Sequence, residues 1–286
     1  MSNPRGVIPS SRYDEVARAS AAVVIDRYST SFGWATRLLQ EPVRTHVRCI
    51  YALVRVADEV VDDADAPWTT EQRAAMLDGL EQETYRALEV GASTNLVVHA
   101  FAGTARRHGI GRDLVAPFFD SMRADLSVRV HDPHTLQTYL YGSAEVVGLM
   151  CLRVFVDGDE ECYERLAPGA RRLGAAFQKV NFLRDLAADH DGLGRTYFPG
   201  VDPRRLTDAQ RDQLLDDIEA DLAVAADAIR ELPPTCRRAV HAAHALFGAL
   251  TVRLRDTPAC DIARTRVRVP DLVKAGIVAR SVVTAR

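Results

Sequence analysis

The sequence predicts an all-α fold, a single domain over residues 1–286 arranged around a central cavity. Three observations predict it. Apolar residues recur at steps of three and four almost throughout, with Pro and Gly falling mostly between the periodic runs. No convincing pair of alternating strands is present. Two columns of acidic side chains, more than 100 residues apart, lie on helical faces and suggest two helices facing each other across a cavity.

A first helix is expected at about 13–27, and a short helix containing 29–39 follows, ended by Pro42. The helix at 43–63 carries the first acidic column: Tyr51, Arg55, Asp58 and Asp62 in a line, with Ala52, Val56 and Val60 free to pack. Arg55 can pair with Glu59 four residues on, or bind phosphate in a bidentate manner. Asp63 and Asp65 read as solvated loop residues. Helix 70–90 is amphipathic and peripheral. Helices at 94–108 and 112–130 follow, the latter with Phe118, Phe119 and Met122 as core and Asp125 in no assigned role. The segment HDPH reads as an exposed turn carrying His131 and His134. Helix 135–156 holds the small residues Gly142, Ser143, Ala144 and Gly148, which let a neighbouring helix or a bound chain approach closely. Pro168 and Gly169 start or kink the next helix. The last third, with helices near 207–231, 234–256 and 270–284, is chemically quieter.

The second acidic column organises the rest. Gln178, Asn181, Asp185 and Asp189 follow at steps of three, four and four, which places them on one helical face. Phe177, Val180, Phe182, Leu183 and Leu186 serve the other face. Two carboxylates and two amides are costly to bury without compensating charge. Mg²⁺ with phosphate oxygens would supply it, because Mg²⁺ takes carboxylate oxygen, water and substrate phosphate. A single such column reads first as a solvated polar face; two of them favour a pair of helices clamping a diphosphate through metal ions.

Composition narrows the classes. An apolar content of 47% is ample for a core, and a net charge of −3 argues against nucleic acid as a partner. Five cysteines without CxxC spacing suggest a reduced, cytoplasmic protein with buried thiols. The opening MSNPRGVIPSSRYDE lacks the apolar core of a signal peptide. No run of ~18 apolar residues suggests a spanning helix.

The motifs together resemble the squalene and phytoene synthase family, the head-to-head prenyl-diphosphate synthases. Leu173, Gly174, Gln178, Asn181, Phe182, Arg184, Asp185, Leu186, Asp189, Arg195, Tyr197 and Pro199 match one family signature in register. YLYGSAEVVG at 139–148 resembles another, with Leu140 and Glu145 as departures, and STSF at 29–32 resembles a third element. The wording and length are most like the bacterial phytoene synthases of that family.

The resemblance implies a class I isoprenoid synthase bundle and condensation of two identical prenyl diphosphates through a cyclopropyl diphosphate. It implies that Asp58, Asp62, Asn181, Asp185 and Asp189 hold Mg²⁺, with Mn²⁺ as a substitute. Arg55, Arg184 and Arg195 would contact phosphate, joined by Arg266 or Arg268. Ser31 and Phe32 would face the cavity, although Ser31 alone reads as a helix cap. Tyr51, Gln178 and Tyr197 would bind substrate, and Tyr139 would line the reaction centre, where an aromatic face stabilises a cation. Phe247 stands where the family commonly has Tyr. The loop HDGLGRTYFPG, with Gly192 and Gly194, would be a flap with Arg195 and Tyr197 as polar tips, closing over the diphosphates. Two C20 units would give phytoene. Two C15 units would give dehydrosqualene, or squalene if NADPH supplies hydride. Peripheral membrane contact for product release and downstream pathway enzymes are the expected partners. The readings from other classes are a class I terpene cyclase and a non-catalytic scaffold that keeps the fold.

Overall fold

The computed structural model describes residues 11–29, 31–63 and 65–284; the side chains of 31, 32, 278 and 282–284 lie outside the described set. The expected roles of the Ser31 and Phe32 side chains therefore fall outside the described residues. The helices are α1 (Arg12–Tyr28), α2 (Ser31–Thr36), α3 (Val43–Asp62), α4 (Thr70–Val90), α5 (Leu96–His108), α6 (Arg112–Ser127) and α7 (Pro133–Leu140). Then follow α8 (Val146–Val156), α9 (Glu160–Arg184), α10 (Leu186–Leu193), α11 (Asp208–Glu231), α12 (Pro234–Asp256), α13 (Ala259–Ile262) and α14 (Asp271–Thr284). Among the described residues there is no strand, only an isolated bridge between Val130 and Thr196. The all-α expectation is met.

Local chemistry sets many of the boundaries. Ser11, Thr69 and Thr207 each accept a backbone N–H and receive a side chain in return, closing capping boxes on α1, α4 and α11. Asp159 caps α9 by accepting from the Cys162 N–H at 3.0 Å. That cap starts the helix at Glu160, so it neither begins nor breaks at Pro168, which sits inside it.

α3 buries Ile50, Leu53, Ala57 and Val61, a column at steps of three and four beside the Tyr51–Asp62 column. It packs against α4, α5, α6 and α8 in one core, and against α1 in a smaller cluster of Ala17, Ala21, Cys49, Ala52 and Ala100. A second core gathers α9, α11, α12 and residues 197–198 around Leu183, Leu215 and Leu254. Full burial of each such Leu contributes about 1.5–3 kcal/mol.

Pro133–Val156 forms a 24-residue helical stretch long and apolar enough to cross a bilayer, but 67% of its apolar window is buried inside the molecule. The sequence had offered no such stretch. Its apolarity serves the core, since the helix runs through the middle of the bundle against α3, α6 and α9. Residues Tyr141–Glu145 within it form a π-turn. Gly142 lets this turn press against α6: a Cβ there would stand 2.1 Å from the Pro117 carbonyl oxygen and 2.2 Å from Ser121 Oγ. Glu145, which departs from the family pattern, is buried and accepts from Arg171 Nε at 2.6 Å.

Candidate active site

Two cavities meet between α3, the π-turn and α9. The polar one is about 740 Å³, with Tyr51, Arg55 and Asp58 on one side and Arg184, Arg266 and Lys274 on another. The apolar one is about 250 Å³ and is bounded by Leu39, Val47, Cys151, Phe155, Leu166 and Phe177, among others. Val54, Ser143, Gln178 and Asn181 belong to the walls of both. The chemistry changes across that throat from charged to hydrocarbon within the width of a few side chains.

On α3, Arg55 Nη1 lies 2.7 Å from Asp58 Oδ2, and its other nitrogen also pairs with Glu59. Its guanidinium lies 4.7 Å from the centre of the Tyr28 ring. The intrahelical pairing and the cavity position expected as alternatives thus coexist. Burial, then the charge of Asp62, pushes the Asp58 carboxyl up, against the pull of Arg55. Asp58 keeps 32% of its side chain exposed, so it faces the cavity from inside the molecule.

The second column bends. α9 ends at Arg184, and Asp185 sits between it and α10. The i to i−4 bonding carries on through the junction, from Asp185 N–H to Asn181 O and from Asp189 N–H to Asp185 O, both 2.9 Å. Asp185 pairs with Arg184 and, at 2.8 Å, with Arg266, both of which line the polar cavity. Burial, then Asp185 and Asp62, raises Asp189 to about 7. Asp62, Asp185 and Asp189 lie beyond the walls of the polar cavity, yet their charges act on one another. Tyr51, Arg55 and Asp58 of the first column and Gln178 and Asn181 of the second line the same cavity.

Arg195 and Tyr197, expected as the polar tips of a flap, are buried in the structure. Arg195 is 4% exposed and Tyr197 5%. Arg195 Nη1 stands 2.5 Å from Asp62 Oδ1 and 3.5 Å from Asp125 Oδ1, and Nη2 donates to the Val61 carbonyl at 3.2 Å. Thr196 N–H donates to Arg129 O at 2.8 Å, and His131 N–H donates to Thr196 O at 3.2 Å. Tyr197 stacks on Phe182 with 3.8 Å between centroids. The segment is a strap tied at both faces, because burying a guanidinium beside carboxylates leaves it no partner in solvent to seek.

Tyr139 lines neither cavity. It is buried and donates its hydroxyl to Asp125 Oδ2 at 2.8 Å. Burial raises Asp125 to about 7, against Arg195, and holds the Tyr139 hydroxyl well above the usual phenol range. His131 is buried between Tyr139 and Tyr197 rather than exposed, whereas His134 is exposed as expected. Phe247 stacks on Phe177 at 3.8 Å, so the ring packs where a hydroxyl was in question. Lys274, Leu246 and Leu250 were missed as cavity residues. The spacing of Arg264, Arg266, Arg268 and Lys274 was the available signal for a basic wall.

Residues 25–272 match the squalene/phytoene synthase family. The chain belongs to that family. It is 31% identical over 251 residues to a 15-cis-phytoene synthase of Paracoccus sp. (strain N81106 / MBIC 01143), covering 81% of this chain and 80% of the relative. It is 27% identical over 249 residues to a phytoene synthase of Pseudescherichia vulneris, covering 79% of each. A dehydrosqualene synthase solved with a ligand superposes with a TM-score of 0.81 at 20% identity, over 94% of this chain and 96% of that one. Squalene synthase HpnC from Alicyclobacillus acidocaldarius gives 0.73 at 21% identity, over 85% and 94%. These likenesses show the all-α isoprenoid synthase fold. Membership makes the protein a prenyltransferase of the phytoene/squalene synthase type, an enzyme that joins two prenyl diphosphates head to head.

Proposed function

We propose that the protein couples two C20 prenyl diphosphates, geranylgeranyl diphosphate, into phytoene through a cyclopropyl diphosphate. The observation that carries the reading is the throat, where a charged cavity and a hydrocarbon cavity share Val54, Ser143, Gln178 and Asn181. A prenyl diphosphate has that polarity along its length. The C20 choice draws on the similarity to the phytoene synthases of Paracoccus and Pseudescherichia.

The donor set fits a divalent cation shared with phosphate. Among the described residues no three acidic, His or Cys side chains converge as a dedicated cage. Carboxylates raised by burial, and then by neighbouring carboxylates, on α3 and α10 are instead what a bound dication would relieve. Asp58, Asp62, Asn181, Asp185 and Asp189 would hold Mg²⁺ or Mn²⁺, which when bound neutralises charge developing on the leaving diphosphate.

This chain's own groups do the rest. Arg55 and Arg184 bind phosphate oxygens from opposite walls, and Arg266, Arg268 and Lys274 add positive charge from the α13–α14 side. Burial, then the neighbouring Arg184, lowers Arg266, so an incoming dianion would be drawn to a crowded set of cations. The aromatic and aliphatic wall around Phe177 and Phe155 orients the chains and keeps water from the allylic cation. The second double bond attacks C1, a proton leaves, and a second ionisation with rearrangement and proton loss gives the symmetric polyene. A cytoplasmic setting, with membrane contact as product leaves, accompanies this reading.

Competition between C15 and C20 diphosphates, with and without NADPH, tests the chain length. The expected result is a kcat/KM at least tenfold higher for C20, with no response to NADPH. Preference for C15 would move the protein to the dehydrosqualene branch, or to squalene if NADPH alters the product.

A further inference from the structure

Arg195 is buried in a setting that needs explaining. A guanidinium offers five N–H donors and is costly to desolvate. Arg195 meets Asp62, Asp125, the Tyr197 hydroxyl at 3.4 Å and the Val61 carbonyl, and its Nε finds no hydrogen-bond partner. Asp125 accepts from Tyr139 on Oδ2, while its Oδ1 completes no hydrogen bond. As a device for stability this network is poor, because its buried charges are only partly matched.

Its layout suggests another use. The network links α3, α6, α7 and the strap after α10, which are remote in sequence. Side-chain exposure is 4% for Arg195 and 4% for Asp125, against 36% for Asp62. The chain of contacts therefore begins in the core and ends at one carboxylate that reaches solvent. The contact at Asp62 engages Oδ1, and the Val61 carbonyl bond fixes the guanidinium to the last turn of α3.

We propose that Arg195, Asp125 and Tyr139 are positioning residues for Asp62: they hold one carboxylate oxygen from behind, so that the group is presented to the site it shares with Asp58 and Asp189. Asp125 fixes the guanidinium, Tyr139 fixes Asp125, and the strap carries the assembly. Arg195 and Tyr139 thus act through Asp62 and do not touch substrate. The proposal rests on the diphosphate–metal reading above.

The test is Mn²⁺ uptake by the full chain in saturating inorganic diphosphate, followed by electron paramagnetic resonance. Three proteins are compared: the unaltered protein, Arg195→Lys, and the double variant Arg195→Gln with Asp125→Asn. The double variant removes both buried charges together, so that neither is left buried without its partner, which limits the cost to folding. The expected result is a tenfold or greater rise in half-saturating Mn²⁺ in both variants, with helical circular dichroism retained. A lowered Tm with unchanged Mn²⁺ half-saturation in the folded double variant would overturn the proposal alone, and would leave Arg195 a structural staple. An unaltered protein that takes up no Mn²⁺ would overturn the metal reading and the proposal together.

Discussion

Asp185 sits between two cations that line the polar cavity, Arg184 beside it in sequence and Arg266. Removing its carboxylate takes away a charge that both cations answer and that a metal–diphosphate would need. Asp185→Ala should lower kcat by about 10²-fold or more, the size of a lost electrostatic stabiliser, while circular dichroism stays native. Unchanged turnover would take Asp185 out of the site. The raised carboxylates carry a pH signature. Asp125 and Asp189 move from 3.8 to about 7 and Asp58 moves the same way. A raised folded-state pKa gives stability that is full below about pH 4 and lost as pH climbs through about 7. Burial lowers His46 to about 4, and that histidine works in the opposite sense up to about pH 6.5. The Tm shift caused by Mg²⁺ is therefore the cleaner readout, since protons compete with the cation for the carboxylates. It should grow from pH 5.5 to pH 8; a shift that is flat across this range would contradict the placement of these groups.

The elements show where a sequence is readable and where it is not. α4 was placed at its observed ends, because Thr69 and Gln72 close a capping box and Gly91 takes the left-handed conformation at the end. The acidic columns were also legible, because helical steps fix which residues share a face. The strap was not. Helical periodicity reports which face is apolar, but a polar residue goes inside only if its partners arrive from elsewhere. Arg195 is buried by Asp62 and Asp125, which lie on α3 and α6, and His131 by two rings on other segments. Gly192 and Gly194 suggested mobility, whereas tertiary contacts tie down the residues that follow. Trypsin under native conditions should accordingly spare the bond after Arg195 and cut first after Arg204 or Arg205, whose side chains are 74% and 87% exposed. Early cleavage after Arg195 would restore the flap. The π-turn was likewise hidden, since nothing local distinguishes it from α-helix. Gly142→Ala should destabilise by about 1–3 kcal/mol through overpacking against Pro117 and Ser121. Gly79→Ala, on the exposed face of α4 with nothing within 4 Å, should stabilise by about 0.5–1 kcal/mol. Denaturant melts of the two variants check both signs.

At the scale of the whole molecule, two cores leave a space between them that is charged at one end and hydrocarbon at the other. The helical bundle and its family were legible from ordered motifs along nearly the entire chain. The partition of the space was not, because Lys274, Leu246 and Leu250 come from a chemically quiet stretch and reach the cavity only through the packing of α12 and α14. The central claim is that this space holds two prenyl chains and joins them at their heads. The most direct measurement is mass analysis of the hydrocarbon formed by purified protein from geranylgeranyl diphosphate and Mg²⁺. The account predicts a C40 polyene, with two diphosphates released for each molecule formed. A C20 cyclic hydrocarbon or C20 alcohol as the only product would show that one chain reacts alone and would contradict it.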